Sequence, residues 1–304
     1  HFLLELDDVA LVGSSPETLV KLEGTRASLN PIAGTTTPGE GDAEHLLGEV
    51  LVAFVAIFAA GLRGSIEILV NDDASTDRTP QILREYEQRH PDRIRVTYQE
   101  DNLYSRGVRP LIDLLIPQAR GRYIAVCEGD DFWIDRRKLQ EQVDLLAAEP
   151  EAVACFTNAI RRNCFTGADR LDVTDLKMGP VPADSVIRAG GGLYPTCSLT
   201  FRKDAVDYTW FDQLPALYGD EVLILSLMAN GTIYYTGRVT SVYRKWSGGI
   251  YSSISYDASK LAKQKLGSVD NYERFNEMTG LAYRRAVASR ISKESLYVLE
   301  HLGM

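Results

Sequence analysis

From Ile66 onward, short apolar runs alternate with stretches whose apolar residues recur at helical spacing, the pattern of a mainly parallel sheet covered by helices. Ile66 to Val70, Ile94 to Tyr98, Tyr123 to Cys127 and Ala152 to Thr157 read as strands. Thr79 with Pro80 reads as a helix start with proline at its first position, after which Ile82, Leu83 and Tyr86 share a face. A second helix is predicted from about Gly107 to Ile116, burying Val108, Leu111, Ile112 and Leu115, and a third is marked by Leu139, Val143, Leu145 and Leu146. Beyond residue 157 the pattern is less regular. Gly190 to Gly192 reads as a flexible loop before a strand at Tyr194 to Arg202. Glu221 to Ala229 reads as a helix ended by Asn230 and Gly231, followed by short strands at Thr232 to Tyr235 and Val239 to Tyr243. From Asp257 to the end the pattern is helical and carries no recognisable chemistry.

The first 40 residues differ in character. Gly24, Asn30, Pro31, Gly34, Pro38, Gly39 and Gly41 punctuate β-like runs such as Val9 to Val12 and Thr18 to Leu22, which predicts a separate β-rich appendage. Leu46 to Leu62 is almost wholly apolar but contains Glu49 and falls short of the roughly 20 residues that span a bilayer, so a buried core helix is predicted there. No signal peptide is recognisable, and the cytoplasm, including its inner membrane surface, is the expected location. A net charge of -9 argues against nucleic acid, whose phosphates call for a basic face. Cys127, Cys155, Cys164 and Cys197 form no close pair, and three of them lie in apolar or strand-like surroundings where a thiol packs as a small hydrophobe. Neither a zinc site nor a disulfide framework is indicated.

The chemistry lies at two strand ends. Ile66 to Val70 runs into Asn71, Asp72 and Asp73, and Tyr123 to Cys127 runs into Glu128, Gly129, Asp130 and Asp131. Open α/β sheets bind ligands beyond the carboxyl ends of their strands, so two acidic ends facing one crevice suggest a hard cation, magnesium or manganese, held against a phosphorylated ligand. Simpler readings stand beside this one. Asp72 and Asp73 would also serve to cap the next helix, Asp220 would cap the helix after it, and Arg109 would serve as a surface cation. Trp133 and Trp246 would more commonly be core residues than stacking platforms.

The run Asp72, Asp73, Ala74, Ser75, Thr76, Asp77, Arg78, Thr79 resembles the Asp-Asp-Gly-Ser-Thr-Asp-x-Thr motif of family 2 glycosyltransferases, the GT-A class. Glu128 to Asp131 with Phe132 and Trp133 resembles that family's DXD region, and Asn102 to Arg109 its Asn-x-Gly...Arg segment. Pro195 to Arg202 resembles the strand near the acceptor, Gly219 to Glu221 the segment holding the base, and Tyr243 to Gly249 the late Tyr-Arg-x-His-x-Gly-Gly motif. The matches keep their order over about residues 49 to 255. The resemblance implies a Rossmann-like GT-A sheet flanked by helices, with a helical C-terminal tail, and transfer of a sugar from a nucleoside-diphosphate sugar to a hydroxyl of a glycan or lipid-linked sugar. It implies donor contacts at Asp73, Arg109 and Asp130, a divalent metal (Mn or Mg) at Asp131 and Glu128, and Asp220 as general base of an inverting displacement.

Two departures bear on that reading. Nothing before Ile66 matches the family's opening strand with its Pro-x-Tyr-Asn-like turn, and Trp246 stands where a histidine is common. Val12 to Leu19 and Pro31 to Thr35 instead resemble a fragment of chorismate-using enzymes such as anthranilate synthase component I, with Thr36 where arginine is usual. The expected organisation is thus a chorismate-enzyme-like fragment at 1–45, a glycosyltransferase-like domain at 46–255 and a helical segment at 256–304. The alternative is a catalytically disabled nucleotide-sugar-binding protein, or chimeric relic, lacking its first nucleotide-binding strand.

Overall fold

In a computed structural model of the chain, the described residues are 66–76, 78–129, 131–164, 166–214, 218–245 and 258–302, with the backbone of four short strands before them. These are β1 (Phe2–Glu5), β2 (Val9–Ser14), β3 (Lys21–Glu23) and β4 (Arg26–Ser28). There follow β5 (Ile66–Asp72), α1 (Thr79–Arg89), β6 (Ile94–Tyr98), a wide helical turn at Pro110–Leu115 that continues as α2 (Ile116–Gln118), β7 (Tyr123–Cys127), β8 (Phe132–Trp133) and α3 (Lys138–Ala148). The second half comprises β9 (Ala152–Asn163), β10 (Asp169–Leu171), β11 (Gly179–Val181), α4 (Ala183–Ala189), β12 (Leu199–Arg202), α5 (Thr209–Gln213), α6 (Gly219–Asn230), β13 (Thr232–Lys245), α7 (Ala258–Met278) and α8 (Arg284–Leu302).

One sheet orders its strands β11, β13, β9, β12, β7, β1, β2, β5, β6. Helix α1 returns the chain so that β6 lies parallel to β5, with Val96 opposite Val70. No pairing joins β5 directly to β7 among the described residues. Strand β2 lies between them and runs parallel to both, with Gly13 opposite Val70 and Leu11 opposite Ala125. The β1–β2 pair is therefore part of the main sheet, in the place where the sequence motif lacks its opening strand, while β3 and β4 pair only with each other.

The sheet is mixed where a mainly parallel one is expected. A turn at Thr196–Ser198 delivers the chain into β12 from the carboxyl end of β7, so β12 runs against both neighbours and Thr200 faces Ala125 and Cys155. Parallel order resumes between β9 and β13. The two short strands predicted from residues 232 to 243 are one long strand, whose register shifts between Tyr235 and Val239.

Period-two alternation places side chains on both faces of the sheet. Ile66, Ile68 and Val70 of β5 join Tyr123, Ala125 and Cys127 of β7 on the face covered by Ile82, Leu83 and Tyr86 of α1 and by Leu139 and Leu146 of α3. Leu69, Ile124 and Val126 point the other way, into a larger core with Leu111, Ile112 and Leu115, the apolar side chains of α6, and Tyr272, Phe275, Ala286 and Val287 of the C-terminal helices. Because α6 is buried along most of its length, it reads as apolar all round. No helix among the described residues is long and apolar enough to cross a membrane; the predicted helix at Leu46 to Leu62 lies outside them.

Candidate active site

Strand β5 ends at Asp72, which is 2% exposed and accepts the Ser75 N–H at 3.3 Å. Ala74 then adopts φ +60°, a left-handed conformation that glycine occupies without steric cost. Helix α1 begins after Arg78 with no side-chain cap, so neither Asp72 nor Asp73 serves as its cap. The Asp73 carboxylate instead receives two backbone N–H groups from across the crevice, Leu103 at 2.8 Å and Tyr104 at 3.1 Å. Asp73 thus ties the end of β5 to the turn that carries Tyr104.

Arg109 lies just beyond that turn. Its guanidinium clasps Asp113 through Nε and Nη2, donates to the Phe211 carbonyl at 3.1 Å and lies over the Phe211 ring. Its stem runs beside Gly219, the first residue of α6, where an added Cβ would meet Arg109 Cδ at 3.7 Å. Arg109 therefore braces the start of the helix that carries Asp220.

At the end of β7 the chain turns tightly, with Asp131 N–H donating to the Glu128 carbonyl at 3.0 Å. The Asp131 side chain, 2% exposed, accepts the Arg244 N–H at 2.8 Å and the Cys197 thiol, and so fastens this turn to β13. Burial and the neighbouring Asp131 carboxylate push that thiol well up. Asp130 lies outside the described residues, as does Trp246. Trp133 is a core residue, donating from Nε1 to the Cys197 carbonyl at 2.6 Å with Lys138 over its ring.

Asp220 stands in the first turn of α6, one residue past the start, and the helix has no side-chain cap. Burial, then the adjacent Glu221 charge, push its carboxyl up to about 6, although first-turn backbone N–H groups pull it down. Two tyrosines mark the space around it. Tyr194 donates its hydroxyl to the Asp220 carbonyl at 3.0 Å, and Tyr104 stands half-exposed opposite. Both phenols are pushed up by burial and then by the carboxylates of Asp220 and Glu128, so the β7 turn and α6 both lie close to these two tyrosines. The structure thus gathers Asp73, Glu128 and Asp220 around Tyr104 and Tyr194, with Arg109 at the base of α6. Sequence reasoning missed both tyrosines; Tyr104 falls inside a segment already singled out, and Tyr194 stands one residue before another.

Gly190 to Gly192 form a short helical turn after α4, pressed against the start of α6. A Cβ at Gly191 would lie 3.0 Å from Asp220 Oδ2, and one at Gly190, where φ is +58°, would lie 2.2 Å from Glu221 Oε1. These glycines let the backbone approach two carboxylates closely; the glycine run itself was the available signal. An open depression of about 680 Å³ lined by Arg202, Asp204 and Asn230 lies at the opposite end of the strands, away from this chemistry.

No three His, Cys, Asp or Glu side chains among the described residues are arranged to hold a metal. Asp131 accepts a backbone N–H through Oδ1, and Glu128 is the carboxylate of the same turn whose charge is felt at Tyr104 and Tyr194.

An α/β sheet whose strands end in carboxylates, beside a raised carboxylate on a neighbouring helix, has the arrangement in which open α/β sheets bind their ligands. Residues 43–207 match the model of the family described as Glycosyl transferase family 2, and the chain belongs to that family. Residues 1–52 match the model for chorismate binding enzyme, and 52 residues are 52% identical to anthranilate synthase component 1 of Haloferax volcanii, covering 16% of this chain and 10% of that one. The uncharacterized protein Rv1520 of Mycobacterium tuberculosis is 29% identical over 243 residues, 78% of this chain and 66% of its own length, so the chain spans just under two thirds of that relative. Over 85 residues, 28% of this chain and 31% of the relative, it is 31% identical to the UDP-Glc:alpha-D-GlcNAc-diphosphoundecaprenol beta-1,3-glucosyltransferase WfaP of Escherichia coli.

Proposed function

We propose that the chain transfers a sugar from a nucleoside-diphosphate sugar to an acceptor hydroxyl, with Asp220 as the general base. The observation that carries this reading is the raised carboxyl of Asp220 in a crevice shared with Glu128, Tyr104 and Tyr194. A base that titrates at about 6 is ionised at neutral pH yet retains more proton affinity than an exposed aspartate.

In the proposed step the acceptor oxygen attacks the anomeric carbon from the side facing Asp220. The bond from that carbon to the diphosphate breaks, the nucleoside diphosphate leaves with the bonding pair, and the acceptor proton passes to Asp220. One displacement of this kind inverts the anomeric centre. Asp73 acts on the donor by holding the Leu103–Tyr104 turn, and Arg109 by bracing α6. Asp131 and Glu128 are the groups proposed to hold a divalent cation, which would supply Lewis-acid neutralisation of the diphosphate; the described residues do not assemble its full ligand set. The UDP-Glc-dependent activity that WfaP is named for makes UDP the first donor nucleotide to test.

The test is thermal denaturation of the chain with UDP, GDP and dTDP, each with and without manganese, followed by transfer assays on wild type and Asp220→Asn. A ligand at about 100 times its Kd adds about 2.7 kcal/mol. The expected result is stabilisation by one nucleotide in both proteins and transfer only by wild type. Transfer by Asp220→Asn at the wild-type rate would remove Asp220 from the mechanism.

A further inference from the structure

The C-terminal helices, in which the sequence shows no chemistry, end in a buried polar cluster against the residue next to the proposed base. Glu221 is 3% exposed and its Oε1 accepts two hydrogen bonds, from the Tyr272 hydroxyl of α7 at 2.6 Å and from Arg290 Nη2 of α8 at 2.9 Å. Arg290 also donates through Nη1 to the carbonyls of Ala189 at 3.0 Å and Arg188 at 3.1 Å, at the end of α4. One turn further along α8, Glu294 pairs with Arg290 at 3.0 Å and with Lys265 of α7. Gly190 lies over the junction: its added Cβ would come within 2.9 Å of both Arg290 Nη2 and the Tyr272 hydroxyl.

A buried carboxylate beside a catalytic one is unfavourable for both unless a cation compensates it. Here the compensating cation arrives from α8, and the same guanidinium grips the segment leading into the Gly190–Gly192 turn, which bounds Asp220 from the other side. Resting on the reading of Asp220 as the base, we propose that Arg290, with Tyr272, is a positioning residue: acting through the buried carboxylate of Glu221, it fixes the first turn of α6 and limits how strongly the charge of Glu221 is felt at Asp220.

The groups facing this turn are few enough to separate. Glu221 is adjacent on α6; Tyr194, Tyr104 and Glu128 face Asp220 from the crevice; Arg109, clasping Asp113, lies beside Gly219; Tyr272, Arg290, Glu294 and Lys265 approach from α7 and α8. Glu221 and Arg290 are the positions varied, and Asp220→Asn serves only to assign the signal.

The experiment follows the Asp220 carboxyl by carbon-13 NMR in the full chain labelled at aspartate carboxyl carbons, its signal assigned by its loss in Asp220→Asn. Glu221→Gln, which keeps the shape and the acceptor for Tyr272 and Arg290, should move the Asp220 midpoint down by about one pH unit. Arg290→Gln should move the Asp220 midpoint upward by a similar amount, Arg290→Lys should restore part of it, and the upward shift should vanish when Arg290→Gln is combined with Glu221→Gln. Near-UV circular dichroism shows which variants are folded, and Arg290→Met takes the place of Arg290→Gln if that variant is not. An unchanged Asp220 midpoint in the folded Arg290 variant would overturn the proposal. That outcome is distinct from failure of the functional reading, which would show as full transfer by Asp220→Asn.

Discussion

Gly191 and Asp220 are placed so that a single added methyl carbon on Gly191 would lie 3.0 Å from the Asp220 Oδ2 oxygen and 3.5 Å from its Cγ. That approach is tighter than ordinary van der Waals contact, and it falls on the far end of a side chain rather than on backbone. Gly191→Ala should therefore displace the proposed base while leaving the fold nearly intact. Misplacement on the ångström scale costs about tenfold to a hundredfold in rate. Transfer should fall by that much with the midpoint of urea unfolding little changed; equal transfer by the variant would mean that Asp220 needs no close wall. Gly190→Ala is a harsher companion, because φ is +58° and its Cβ would overlap Glu221 Oε1 at 2.2 Å. It should lower stability by about 2 kcal/mol or more.

Ala74 is strained where its neighbours are not. At φ +60° it bears the roughly 1–2 kcal/mol by which left-handed backbone disfavours a Cβ. Part of that is returned in Ala74→Gly as added freedom of the unfolded chain. The substitution should stabilise the protein by about 0.5–1 kcal/mol, read from urea unfolding. A loss of stability would show that the methyl group makes a compensating contact.

Asp73→Ala separates two roles for this carboxylate. Its hydrogen bonds to Leu103 and Tyr104 hold a turn 30 residues away in sequence, and bonds to a charged group contribute about 1.5–3 kcal/mol. The variant should lose about that much stability without any ligand present, and hydrogen exchange at Leu103 and Tyr104 should quicken. A protein that loses nucleotide binding with no change in stability or exchange would show that Asp73 acts by donor contact alone.

Much of this arrangement was legible in the sequence because strand ends leave local marks. The apolar runs of β5 and β7 stop at carboxylates, and alternation within them fixes which side chains enter which core. Asp73 and Glu128 are marked by those strand ends, Arg109 and Asp220 only by the family resemblance, and the structure sets Asp73, Glu128 and Asp220 near Tyr104 with Arg109 beside the start of α6. What could not be read is what depends on distant pairing. That Asp131 turns inward to the Arg244 N–H, or that Arg290 reaches Glu221, follows from tertiary contacts with no periodic trace. The antiparallel course of β12 was hidden for the same reason, since strand direction depends on the path of the connection and not on the strand's own residues.

The pH dependence of stability gives the final prediction. The Asp220 carboxyl is raised to about 6 in the folded protein, while an unfolded aspartate titrates near 3.9. The native state therefore binds this proton more tightly than the unfolded state. The resulting contribution is complete below about pH 4, where both states are protonated, and is lost as pH rises through about 6. Asp220→Asn has no such proton to lose, so its stability relative to wild type should increase between about pH 4 and pH 7. Because Asp220 is partly exposed, solvent screening reduces the gain to about 1–2 kcal/mol. Urea unfolding of both proteins at several pH values measures the difference directly, with other titrating groups cancelling between them. Activity should move the opposite way, because the base must be ionised: kcat/KM should fall about tenfold per pH unit below 6. A stability difference that stays flat across this range, together with an acid limb near 4, would mean that Asp220 is solvated like an ordinary surface aspartate and that some other group takes the acceptor's proton.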